Sequence, residues 1–274
     1  MGLSGLPFLR PLWRWLDPSV PRTQALRRLR AVVLVGAATL GATGLLAAVG
    51  GAPTDPSAAT GVGTTTTSAP AATVRPLIAP APGMAPVITR VETTDPVVFV
   101  TIDDGYTREP ELITLLDELD LPVTLFLVDQ PVLEGAVFFR SLPDAPVEAH
   151  TRTHANLRSL PESAQRGEIC GNADTIARTF GRRPLLFRPP EGSYDTATQR
   201  AAAACGMTAI VLWQEVVEHG EVRFRTVRRF RPGDIILLHL RPELPNDLRI
   251  LVRRLRDTGL HIAQLEDYLT PPPG

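Results

Sequence analysis

An apolar run ends on two adjacent carboxylates, Asp103 and Asp104, in the stretch VTIDDGY. Charged side chains seldom sit beside a core unless something pairs with them, so the two acids need a partner that offsets their desolvation. A metal ion is one candidate. His150 and His154, in HTRTH, supply complementary donors. Four residues apart, two imidazoles can share one face of a helical turn and bind one cation. Adding a carboxylate gives a two-histidine, one-carboxylate set that leaves positions open for water and substrate. Taken alone, the histidine pair reads as a solvated loop and Asp103 as a helix cap or turn residue. Arg188 alone reads as half of a surface ion pair, and His239, ending an apolar run, as a satisfied core residue.

The elements around these residues decide between the readings. Pro96 to Ile102 is rich in β-branched residues and too short for a helix, so a buried strand is expected there. Leu112, Leu115, Leu116 and Leu119 then recur at helical spacing behind Pro110. PVTLFLV and APVEA read as strands, Glu162 to Phe180 as a helix ended by Gly181, and PLLFRPP as a strand. A helix at Thr196 to Cys205, strands at TAIVLW and GDIILLHL, a helix at Asp247 to Asp257 and a strand at HIAQL follow. Alternating strands and helices predict an α/β fold with parallel strands, as a barrel or an open doubly wound sheet. Ligands gather at the carboxyl ends of the strands in both. Asp103 and Asp104, His150, Arg188 and His239 each follow or end a strand, so four strand ends converge on one rim.

With these motifs in place, residues 97 to 269 resemble the polysaccharide deacetylase family, the NodB-homology carbohydrate esterases of family four, which remove N- or O-acetyl groups from sugars. The family's T-F-D-D-G motif is matched by Thr101 to Gly105, its H-[ST]-x-x-H by His150, Thr151 and His154, its R-P-P-[YF]-G by Arg188 to Gly192, and its L-x-H by Leu237 to His239. The resemblance implies a distorted (β/α) barrel, seven-stranded as in relatives. It implies a divalent metal, commonly zinc, on Asp104, His150 and His154, with Asp103 as general base held by Arg188. His239 would protonate the leaving group, and Leu237 would line the acetyl pocket. Glu191 and Gly192, in the third motif, and Trp213 would face substrate, the backbone N–H at Glu191 being offered to the oxyanion.

Two departures stand out. Glu191 replaces an aromatic residue. In the fourth motif, usually D-x-x-D-W, Val216 and His219 fall where acids are expected, with Glu215 and Glu218 each one residue away. A one-residue offset in a strand reverses the side chain's face unless a bulge intervenes, so either glutamate is at best a substitute partner for His239. His219 and His261 match no motif and read as surface or structural. The implied reaction is removal of acetyl groups, most readily the N-acetyl of amino sugars in cell-envelope polysaccharide such as peptidoglycan. An O-acetyl esterase and a non-catalytic glycan-binding relative are the alternatives.

The remaining sequence concerns delivery. Residues 1 to 30 carry six arginines and one acid, and 31 to 52 carry no charge. Roughly 20 apolar helical residues cross a bilayer. The basic flank predicts a cytoplasmic N-terminus, a single transmembrane anchor at 31–52 and an extracytoplasmic body. Secretion after signal cleavage is the alternative. Residues 53–86, rich in Pro, Ala, Thr and Ser, read as a linker, and 87–274 as the deacetylase domain. A net charge of -1 gives no support to a nucleic-acid partner, and a monomer is expected. All 28 basic residues are arginine, which nothing functional explains. Outside the membrane Cys170 and Cys205 could form a disulfide or remain two buried thiols.

Overall fold

The computed structural model describes residues 81–269. The basic N-terminus, the anchor at 31–52 and nearly all of the linker therefore lie outside the described residues. Among the described residues no helix is long and apolar enough to cross a membrane.

Ten strands form one sheet: β1 (Val87–Ile88), β2 (Val97–Asp104), β3 (Thr124–Leu127), β4 (Val147–Ala149), β5 (Leu186–Phe187), β6 (Ala209–Val211), β7 (Glu215–Glu218), β8 (Glu221–Phe224), β9 (Ile235–His239) and β10 (His261–Ala263). Their order is β1-β6-β5-β4-β3-β2-β9-β7-β8, with β10 pairing the start of β2. Every pairing is parallel except β7 with β8. The sheet curls as a partial barrel with β1 and β8 at its edges, so the expected seven-stranded count is replaced by ten. The antiparallel β7–β8 hairpin is an addition to the alternating pattern. Its His219-Gly220 turn has φ of 53° and 82°, the positive-φ pair that a two-residue hairpin requires.

The helices are α1 (Pro110–Leu119), α2 (Asp129–Ser141), α3 (Glu162–Phe180), α4 (Thr196–Ala204), α5 (Leu244–Leu255) and the single turn α6 (Glu266–Leu269). In α1, Pro110 occupies the first turn, where its missing N–H costs nothing, and Leu112, Leu115 and Leu116 are buried. Gly181, left-handed at φ 75°, ends α3. Asp195 and Thr198 cap α4 reciprocally. In α5, Leu244, Leu248, Leu251 and Leu255 form one buried stripe. No helix was expected at α2, because Pro131 and Gly135 interrupt it and Leu133 and Val137 are exposed, which blurs the apolar period.

Alternation along β2 sorts the two cores. Val98, Val100 and Ile102 join the cluster packed with the helices, whereas Phe99 belongs to a second cluster with Phe126, Leu186, Val211 and Ile235. Thr101 and Asp103 share the face of Phe99, so this second layer is the floor on which the polar residues stand. Cys170 of α3 and Cys205, just beyond α4, form a disulfide that ties the two helices together.

Candidate active site

The strand β2 runs two residues further than its apolar stretch and carries both acids to the rim. Asp103 lies level with His239 of β9 and with Phe126 of β3. Asp104 leaves the strand at φ 79°, which turns its side chain away from its neighbour's surroundings.

Asp103 is buried and is held from below. Its Oδ1 accepts a hydrogen bond from Arg188 Nη1 at 2.7 Å. Arg188 has no solvent exposure, and its other donors reach Thr101 Oγ1 at 2.9 Å and the carbonyls of Val211 at 3.0 Å and Leu212 at 3.4 Å. Its guanidinium also stacks 4.3 Å from the centroid of Phe126. Burial lowers the guanidinium pKa, while Asp103 opposes that shift, and the group stays charged. A fully bonded cation thus fixes one oxygen of Asp103 and leaves the other, Oδ2, facing the histidines, 3.8 Å from His150 Nε2.

Asp104, His150 and His154 offer ligand atoms that all lie within 4.8 Å of one another. Asp104 Oδ1 is 3.6 Å from His150 Nε2 and 3.3 Å from His154 Nε2. Burial would raise the Asp104 carboxyl, but its hydrogen bonds with the two imidazoles outweigh that and hold it far below the usual carboxylate range. Hydrogen bonding to Asp104 raises His154 against the opposing effect of burial, and the charges of Asp103 and Glu191 add to the rise. The rise at His154 reports a negative potential around that imidazole, which favours a cation there.

The donor chemistry fits a divalent metal. His150 Nδ1 is 2.7 Å from the carbonyl of Arg188, which can only accept, so Nδ1 carries a proton and Nε2 is the nitrogen left to face Asp104 and to bind a cation shared with it. The backbone N–H of His150 donates to Asn172 Oδ1 at 2.8 Å, and Asn172 Nδ2 donates to the carbonyl of Leu127 at 3.1 Å and to Asp129 Oδ1 at 2.8 Å. One buried amide on α3 therefore ties the ends of β3 and β4 to α2. The sequence reading missed Asn172; a polar side chain of low helix propensity inside a long helix was its only signal.

The two histidines do not share a face of a helical turn, contrary to the spacing argument. They lie on a loop in which Thr151 and His154 take φ of 71° and 58°. A β-branched residue at positive φ is a strained conformer, and strain of this kind persists only where the surroundings over-determine it. Glu191, at φ 59°, adds another such residue on the loop after β5.

On the far side, Leu237 is buried level with Thr101, two residues below His239 and on its face. Gly192 lies against Trp213, where a Cβ would meet the ring at 2.9 Å. Glu191 is exposed above them.

The expectation that Glu215 or Glu218 tunes His239 is corrected. Glu215 is paired in register with Ile236, which faces the opposite side of β9 from Leu237 and His239. Burial, the charge of Asp234 and a hydrogen bond with it push Glu215 up to about 9. Asp234 in turn pairs with Arg90 at 3.1 Å. Glu218 is engaged by Arg223. His239 Nδ1 is buried and has no hydrogen-bond partner among the described residues.

The curled, mostly parallel sheet thus carries at its strand ends a carboxylate and two histidines that could hold a metal ion, beside a second, buried carboxylate. Residues 90–210 match the model of the polysaccharide deacetylase family, and the chain belongs to that family. It is similar to an uncharacterized protein of Streptomyces coelicolor, 43% identical over 197 residues covering 68% of this chain and 78% of the relative. A peptidoglycan-N-acetylglucosamine deacetylase of Bacillus cereus is 24% identical over 167 residues, 54% of this chain and 75% of that one. Among solved structures, a family 4 carbohydrate esterase pseudoenzyme of Bacillus anthracis shares the fold with a TM-score of 0.61 at 21% identity, over 70% of each chain. A family 4 carbohydrate esterase of Streptomyces lividans, in complex with acetate, gives 0.55 at 24% identity over 62% of this chain and 93% of that one.

Proposed function

We propose that the chain is a metal-dependent hydrolase that removes acetyl groups, foremost the N-acetyl of amino sugars, from cell-envelope polysaccharide such as peptidoglycan. The observation that carries this reading is the separation of two adjacent carboxylates: Asp104 is turned to His150 and His154, while Asp103 is held apart by Arg188. A divalent cation held by Asp104, His150 and His154, with zinc well suited to these donors, would polarise the acetyl carbonyl and acidify the attacking water. Asp103 takes the proton from that water through Oδ2, and Arg188 keeps the carboxylate ionised and oriented. The backbone N–H of Glu191 stands at the third motif to receive the developing oxyanion. His239 returns a proton to the departing nitrogen, and Leu237 offers an apolar wall to the acetyl methyl group.

The basic N-terminus and the uncharged segment 31–52 support delivery as a single-pass anchor with the catalytic domain outside the membrane. Proximity to the envelope in turn favours an insoluble glycan over a free oligosaccharide.

One observation favours O-acetyl esters as a second reading. The unpartnered Nδ1 of His239 deprives the acid catalyst of the carboxylate that would orient it and stabilise its charge. An alkoxide leaves with less assistance than an amine does, so an ester tolerates that loss better. Acetate release from N-acetylated and O-acetylated glycans by the full chain, with added metal and after chelation, tests both readings. Release that stops on chelation and returns with a divalent metal is expected. No release from either substrate, with glycan binding retained, would leave a non-catalytic binding protein.

A further inference from the structure

We propose that Tyr106 is a sugar-stacking platform, its ring receiving a pyranose adjacent to the one that carries the reacting acetyl group. The identity of the ligand as a glycan rests on the deacetylase reading above; the platform itself rests on how this ring is displayed.

Tyr106 is 52% exposed and is the one exposed aromatic ring among the described residues. The chain's other tyrosines are put to structural use: Tyr268 packs edge-on against Phe99 and donates its hydroxyl to Asp95 at 2.7 Å, and Tyr194 packs on the core. Trp213 has Arg188 and Arg225 against its ring. An isolated exposed apolar residue needs no explanation by itself. What marks this one is its position, two residues beyond Asp104 on the same rim.

The backbone beneath the ring is anchored on both sides. A Cβ on Gly105 would fall 2.7 Å from Pro131 Cβ and 3.0 Å from Leu127 Cδ2, so the chain is pressed onto α2 at the residue before the tyrosine. Two residues after it, Arg108 lays its stem over Gly135 and pairs with Glu134 at 3.6 Å. The loop is thus held in place while its ring stays in solvent, which lowers the ordering cost of binding. A pyranose suits such a surface, because its axial C–H face is apolar while its hydroxyls remain hydrated at the edge. A tyrosine ring is apolar on its face and polar at its tip in the same way.

The test is calorimetric titration of tetra-N-acetylchitotetraose into the full chain carrying Asp103→Asn, which retains the ring and blocks turnover. Adding Tyr106→Ala should weaken binding about tenfold, whereas Tyr106→Phe and Tyr106→Trp should stay within about twofold of the parent. Equal affinity of the alanine and parent chains would overturn the platform. So would a phenylalanine variant as weak as the alanine one, since the hydroxyl would then be the contact, and so would a parent that does not bind the tetrasaccharide. Acetate release by the wild-type chain is read separately, so failure of the deacetylase reading is distinguishable from failure of the platform.

Discussion

Replacing Arg188 by methionine removes a guanidinium with no solvent exposure and leaves Asp103, 4% exposed, without its cation. Breaking a buried pair by deleting one partner costs about 3–5 kcal/mol, because the remaining charge stays desolvated. The ion pair at 2.7 Å and the bonds to Thr101, Val211 and Leu212 place this site at the upper end of that range. For a fold of this size each kcal/mol shifts the melting temperature by roughly 2–4 °C, so a fall of about 10 °C or more is expected. Removing the charge as well, with Asp103→Asn, should return part of the loss, since an amide is cheaper to bury than a carboxylate. Urea unfolding of the parent, both single variants and the double variant closes the cycle, with a coupling of roughly 1.5–3 kcal/mol expected. Strict additivity would refute the view that Arg188 acts through Asp103. In the acetate assay Arg188→Met should lower kcat by roughly 100-fold or more, the scale of losing a general base.

Three further outcomes follow from the same geometry. Reducing the Cys170–Cys205 bond, which closes a separation of 35 residues, should cost about 4 kcal/mol on the chain-entropy model, and equal melting temperatures with and without reductant would contradict this. Glu215 keeps its proton in the folded chain up to about 9 but loses it in the unfolded chain at the ordinary glutamate value. The native state therefore binds more protons across that interval, and its stability falls as pH rises. Glu215→Gln removes that slope, so the melting-temperature advantage of the variant should grow between roughly pH 5 and 9; a constant difference would count against the raised value. Val216 is paired with Leu237 and shares its face, so in Val216→Glu the longer side chain can reach diagonally to His239. Acetate release from N-acetylated glycan should increase in that variant, and an unchanged rate would show that Nδ1 does not need a carboxylate.

The sequence was most informative where a local pattern meets a single structural demand. Strands that end on Asp103, Asp104, Arg188 and His239 were legible because parallel buried strands read as short apolar runs, and their carboxyl ends share one rim. The α2 helix was not, since Pro131, Gly135 and the exposed Leu133 and Val137 erase its period. The β7–β8 hairpin was hidden for another reason: its only turn signal is His219-Gly220, and its outward residues are charged. The spacing of His150 and His154 singled out two side chains that do lie together, though on a loop and not on a helical turn, because helical and left-handed loop backbones both return a side chain to its neighbour over that interval. Partners contributed by carbonyls, such as that of Arg188 to His150, leave no trace in residue identity at all.

The two halves of the site are unequally supported, and the inequality has a chemical consequence. On the side of attack, Arg188, Thr101 and Asn172 hold Asp103 and His150 through buried hydrogen bonds, and the positive φ of Asp104, Thr151 and His154 is sustained by that packing. On the side of departure, His239 stands at the end of β9 with Nδ1 unpaired, while Glu215 is turned to the other face and Glu218 is committed to Arg223. In the proposed reaction, formation of the tetrahedral intermediate draws on the well-held half and its collapse on the other. Collapse is therefore the step at which substrates are told apart. An amine must be protonated to leave, whereas an alkoxide gains less from the same proton, so the missing partner of His239 raises the barrier for amides more than for esters. The same asymmetry makes the surroundings of His239, rather than the metal donors, the place where a change of few residues would alter which acetyl group the chain removes.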